Sequence, residues 1–180
     1  ERMGEDLEND DSIELRSPAE IKNPGARKLS LYLFKMDRNP HMRNMPPTRL
    51  PAGESAERQR QIRRPPMVMD LLYMITAFTQ DAVDELMLHE KLLTTFYDYP
   101  VLRNERLYNS LASTGNTFLR IIPIELPLDD QSKLWSSFTN TAFKLATFVM
   151  VTPVKIPSAL PPRDYTPIRE EGVAADVGRI

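Results

Sequence analysis

Three stretches of this chain alternate apolar and polar positions with the period of two that a β-strand imposes, and two others follow the longer period of a helix. In LSLYLFKM, residues 29–36, Leu29, Leu31 and Leu33 share one face, and Ser30, Tyr32 and Phe34 share the other. In MVMDLLYMITAF, residues 67–78, Met69, Leu71, Tyr73, Ile75 and Ala77 form one apolar face, and the opposite face is apolar except at Asp70 and Thr76. A strand apolar on both sides is covered on both sides, so this one is predicted at the centre of a sheet, with 29–36 as its antiparallel hairpin partner. In AFKLATFVMVTPVKI, residues 142–156, Phe143, Leu145, Val149 and Val151 share a face, and Pro153 and Pro157 close the strand. Weaker strand patterns occupy 118–126, where Pro123 lacks a ladder donor and belongs near a strand end or edge, and 12–16, an edge-strand pattern.

The stronger helix pattern covers 79–100, with Thr79 as candidate N-cap, Asp81, Asp84 and Glu85 at the positive end, and Pro100 as the stop. Its expected inner stripe is Ala82, Leu86, Leu93 and Phe96, widened by Leu88 and Leu92. A second, short helix is expected over 129–138, with Leu134, Trp135 and Phe138 on one side, and ERLYNSLA, within 98–117, predicts a third. The candidate core is therefore Leu31, Leu33, Leu71, Tyr73, Leu86, Leu93, Trp135, Phe143 and Val149.

Between and beyond these elements the apolar pattern stops. Residues 1–11 are acidic and read as a solvated end. Residues 37–65 carry Arg38, Arg43, Arg49, Arg58, Arg60, Arg63 and Arg64 against few acids, and five prolines, which predicts a basic arm. Residues 157–180 form a proline-rich tail in which Tyr165 and Ile168 are among the few apolar anchors. The domain proper is then 12–156.

Composition narrows the chemistry. With no cysteine, disulfides, thiolate metal sites and cysteine nucleophiles are excluded. Only 6 glycines stand against 16 prolines, which argues against glycine-rich phosphate loops. A net charge of −2 gives no global field for nucleic acid, and no apolar run is long enough to span a bilayer as a helix, so neither nucleic acid nor membrane insertion is expected. HEKLL, at His89, begins like the zinc-protease helix motif but has Leu93 where the second histidine belongs. His89 is therefore expected to be a packed structural residue and Asp70 a hydrogen-bonded structural aspartate. No catalytic, cofactor-binding or metal-binding set is expected. An enzyme reading would require an ordered pocket around Asp70, His89 or His41.

Four stretches occur together in one order: LSLYLFKMDRNPHMRNMPPTRL, RRPPMVMDLLYMITAF, LHEKLLTTFYDYPVL and SKLWSSFTNTAFKLATFVMVTPVKI. As a set, over roughly residues 12–160, they resemble the N-terminal domain of the cap, or tail-terminator, proteins of phage-tail-like contractile injection systems. The resemblance implies a mixed, largely antiparallel sheet flanked by helices, an α/β architecture of the α+β kind with extended arms. It further implies a hexameric ring that ends the inner tube and engages the last layer of the contractile sheath. The implied partners are further copies of the chain, the inner tube protein and the sheath protein. Assembly is implied in the bacterial cytoplasm, within a particle that can be released from the cell. The arginines of 37–65, with Tyr165 and Ile168, are the expected interface. Another tail adaptor or a baseplate component is the alternative.

Overall fold

The computed structural model describes residues 12–21, 27–49, 60–103, 106–107, 109–139 and 141–165. The chain divides into two compact units, one of residues 1–43 with 67–157, the other of 44–66 with 158–180.

The first unit is built on a six-stranded sheet. Its strands are β1 (Ile13–Glu14) and β2 (Lys28–Arg38), then, past two short strands of the second unit, β5 (Met67–Phe78), β6 (Val101–Arg103), β7 (Phe118–Pro123) and β8 (Ala146–Ile156). The spatial order is β1-β2-β5-β8-β7-β6. Only β1 pairs in parallel, opposite Leu29 and Ser30 of β2; the other pairs are antiparallel. The sheet is thus mixed and largely antiparallel, with β5 and β8 at its centre. Pro123 is the last residue of β7, where its missing donor costs no ladder bond.

Three helices connect these strands: α1 (Ala82–Asp98), α2 (Asn109–Ser113) and α3 (Leu128–Ser136). Alternation along β5 and β8 sends their apolar residues to two sides. Ile75, Ala77 and Val149 pack with Leu29 and with Leu88 and Leu92 of α1. Met74 and Phe148 pack with Trp135 and Phe138 of and just beyond α3. A third cluster, Leu107, Leu119 and Val154, takes in Leu71, Leu102 and Leu111. After α2 the chain turns at Gly115, whose φ of +84° suits a residue without Cβ. The adjacent Asn116 fastens that turn to β8: its Nδ2 donates to the Lys155 carbonyl at 3.0 Å, and its Oδ1 accepts from the Lys155 amide at 2.8 Å.

The second unit contains a three-stranded sheet of β3 (Thr48–Arg49), β4 (Arg60–Arg63) and β9 (Arg163–Tyr165), in the order β3-β4-β9. Residues 37–65 and 157–180 read as two separate extensions in the sequence. Instead β4 and β9 pair antiparallel, Ile62 opposite Arg163, and Gln61 Nε2 donates to Asp164 Oδ1 at 3.1 Å. Strands of two to four residues with a single Ile among arginines leave no apolar period to detect. The expectations for residues 1–11 and for the tail beyond Tyr165, including Ile168, lie outside the described residues.

Five positions depart from the expected core and caps. The N-cap of α1 is Asp81, whose carboxylate accepts from the Val83 amide, while the Thr79 hydroxyl donates to the Asp81 carbonyl. Leu86 and Leu93 are 60% and 46% exposed. The buried stripe of α1 is instead Leu88, His89 and Leu92, flanked by Phe96, because a hydroxyl on β8 accommodates the histidine. Phe143 is 54% exposed, since β8 begins pairing at Ala146 opposite Thr76 and residue 143 would fall past the end of β5. Leu33, also assigned to the core, lies at the boundary of exposure. Beside it the β2–β5 register shifts, and β1 covers only the first residues of β2.

Candidate interaction surface

Where β2 ends, the chain must leave the sheet without exposing unpaired backbone, and a buried polar group makes this possible. The Asn39 amide donates to the Val68 carbonyl at 2.9 Å. Its side-chain Nδ2 donates to Asp70 Oδ1 at 2.8 Å and to Thr152 Oγ1 at 3.2 Å, and the Thr152 hydroxyl donates to the same Asp70 oxygen. Asn39 Oδ1 accepts from the His41 and Met42 amides at 3.0 and 3.1 Å, which sets the turn that follows. Asn39, Asp70 and Thr152 are all buried. They come from three of the four stretches that carry the resemblance, and they meet at irregular points of β5 and β8. Asp70 is thus satisfied within the fold, its hydrogen-bonded oxygen facing Asn39 and Thr152.

The turn presents charge outward. Arg38 and Arg43 are exposed in the first unit, and Arg63 and Arg64 are exposed in the second. Arg49 and Arg60 lie in β3 and β4 and Tyr165 in β9; of these the structure gives the backbone placement. By register Arg49, Ile62 and Arg163 form one row across the small sheet, which places three of its basic and apolar positions together. Arg58 lies outside the described residues.

On the far side of the large sheet from α3, α1 buries one stripe and exposes another. Val83, Leu86, Met87, Leu93 and Tyr97 are all between 45% and 86% exposed. Their spacing is itself helical, so α1 is apolar on two faces. At its C-terminal end the exposed stripe opens into a groove of about 650 Å³ lined by Leu93, Thr94, Phe96, Tyr97, Pro100, Ile121 and Pro123.

His89 and Trp135 both face the sheet. His89 is buried, with Nδ1 3.0 Å from the Thr147 hydroxyl. Burial lowers its pKa; a backbone bond to Leu145 and the nearby Glu85 oppose this, and Lys144 adds to it. A histidine held neutral in the fold binds a proton more readily once unfolded. Stability is therefore full above about pH 6.5, the ordinary histidine value, and declines as pH falls below it, with a slope of at most about 1.4 kcal/mol per pH unit. Denaturant titrations between pH 7 and 5 are expected to show this decline, and His89→Gln is expected to flatten it. An unchanged slope in the variant would assign the decline elsewhere.

Trp135 is 4% exposed, with its ring centroid 5.6 Å from Phe138, edge to face, and 5.5 Å from Phe143. Phe138 in turn meets Tyr32 edge to face at 5.5 Å. These rings hold α3 to the sheet.

Among the described residues no group of three His, Asp or Glu is placed to hold a metal, and no helix is long and apolar enough to cross a membrane. His41 is exposed and His89 buried.

The arrangement of sheet and helices occurs in solved structures. The cryo-EM structure of the PVC sheath/tube terminator of an extracellular contractile injection system, in its extended state, superposes with a TM-score of 0.62 at 15% identity, covering 99% of this chain and 61% of that one. The cap of the anti-feeding prophage, the AFP tube-terminating cap, superposes with a TM-score of 0.61 at 13% identity, covering 93% of this chain and 56% of that one. The fold is that of the tail terminators of contractile injection systems. The family model of the Pvc16 N-terminal domain matches residues 1–170, and the chain belongs to that family. No curated protein sequence matches it. The chain spans 61% and 56% of the length of the two terminators.

Proposed function

We propose that this chain is a structural terminator of a contractile injection system, a subunit of a six-membered ring that ends the inner tube and engages the last sheath layer. Membership of the Pvc16 N-terminal domain family carries the reading. The fold shared with two tube-ending proteins supports it. The surface agrees in kind: exposed arginines at the β2 exit and on the second unit suit bidentate pairing with carboxylates of other subunits. The contact set is Arg38, Arg43, Arg49, Arg58, Arg60, Arg63 and Arg64, joined by Tyr165 and Ile168. The role is structural and uses no cofactor.

Particles produced without this chain are expected to vary in length and to lack a closed end, and the chain supplied in trans restores both. Reversing Arg58, Arg60, Arg63 and Arg64 to Glu is expected to lower end occupancy, seen by electron microscopy, more than it lowers the melting midpoint. Exposed charges are screened within about 8–10 Å at moderate salt, so the wild-type contact should weaken as salt rises. Normal particle length in the absence of the chain would end the terminator reading; normal occupancy with all four reversals would end the assignment of the arginines.

A further inference from the structure

We propose that neighbouring copies join head to tail, the β2 exit of one seating in the groove between α1 and β7 of the next. This rests on the ring reading above and names the two surfaces that would make it. The large sheet has unlike edges. On one side lies β2, covered by β1 only at Leu29 and Ser30, and it ends in the turn that Asn39 fixes. That edge carries Met36, 50% exposed, with exposed Arg38 and Arg43 and half-buried Met42. On the other side β7 runs past the short β6, and its last residues border the groove against Leu93 and Tyr97. The acids nearest the groove on α1 are Glu90, one turn from Leu86 and Leu93, and Asp98, one turn from Thr94; both are exposed, and the helix's only lysine, Lys91, is half-buried.

The two surfaces are complementary in chemistry. One offers two flexible methionines beside two arginines; the other offers an apolar, aromatic-lined groove with two carboxylates beside it. Exposed apolar stripes of this extent are uncommon on a surface that stays in water. Unlike surfaces on opposite edges generate a heterologous contact, which closes into a ring when the rotation permits, whereas a self-complementary patch stops at a dimer. The fastened turn supports the same reading, because a segment held in place before contact loses little freedom on docking.

The chain has no cysteine, so introduced thiols report without background. Particles of the protein's own system are assembled with a chain carrying Met42→Cys and Tyr97→Cys, then treated with a bifunctional maleimide. A second chain carries Met36→Cys and Leu93→Cys. These side chains are half-buried or exposed, so the replacements spare the three core clusters. A ladder of covalent oligomers is expected from each double variant and none from the single variants, since like positions do not meet across a head-to-tail contact. Arg38→Glu with Arg43→Glu is expected to lower the ladder about tenfold, and Glu90→Lys with Asp98→Lys in the same chain to restore it. Only monomers from both pairs, in particles that are normally capped, would overturn the contact and leave the terminator reading intact. If the thiol of the Tyr97→Cys variant were alkylated as fast in particles as in the free chain, the groove would be open; protection of that thiol without cross-linking would show tube or sheath there instead. Either result overturns the proposal. A ladder from particles whose ends do not contain the chain would support the contact and remove the terminator reading.

Discussion

Replacing Trp135 by alanine is expected to lower the stability of the larger unit by about 3–5 kcal/mol, the cost of emptying a packed aromatic site. Few side chains in this fold hold as much together. The indole is nearly inaccessible and touches the rings of Phe138 and Phe143, and its cluster takes in Met74 and Phe148 from the two central strands. Removing it leaves α3 attached chiefly through Phe138 and Leu134. For a unit of this size the loss corresponds to a fall of about 10–20 °C in melting temperature. Circular dichroism is the suitable probe, because Trp135 is the only tryptophan and indole fluorescence disappears with it. Trp135→Phe should retain much of the stability. A melting temperature unchanged in the alanine variant would mean that α3 is held by other contacts.

Breaking the buried polar group at the β2 exit is the second large effect expected. Asp70→Ala leaves Asn39 Nδ2 with the Thr152 hydroxyl alone and leaves that hydroxyl without its acceptor, both shut away from water. A hydrogen bond contributes about 0.5–1.5 kcal/mol and each buried donor left without a partner costs about 1–3 kcal/mol, so a cost of about 3 kcal/mol is expected. Asn39→Ala should cost a similar amount and also free the turn at His41 and Met42. Because the same bonds are counted in both, the double variant should lose less than the sum, by about 0.5–3 kcal/mol. Additive losses in denaturant titrations would refute a shared network. Asn39→Ala should in addition impair capping beyond its effect on stability, since the turn it sets bears Arg43.

Much of the fold was legible because the strong strands obey simple periodicities. The apolar character of both faces of 67–78 identified the central strand, and Leu134, Trp135 and Phe138 gave the inner side of α3. What escaped was decided by partners remote in sequence. The face that α1 turns inward depends on the Thr147 hydroxyl, which makes His89 acceptable inside; apolar residues around most of that helix conceal the choice between stripes. The period of two puts Phe143 in a strand, but the neighbouring strand ends too early to pair with it. The small sheet joins β4 to β9 through backbone bonds that leave almost no hydrophobic signature. For Asn39 a signal existed: an asparagine just before a proline at a strand end, with an isolated aspartate in an otherwise apolar strand. Neither residue alone indicates that they meet.

The placement of β5 beside β8 also sets an order of events during synthesis. Between them in the chain come α1, β6, α2, β7 and α3, so β5 leaves the ribosome long before its second neighbour exists. During that interval the nascent hairpin of β2 and β5 has an open side running from Met67 to Thr76, apolar but for Asp70 and Thr76. Such a side readily takes up a strand from another chain. Arrival of Ala146–Ile156 therefore competes with capture by a second nascent molecule, and crowding of these chains at high expression tips that competition toward aggregates.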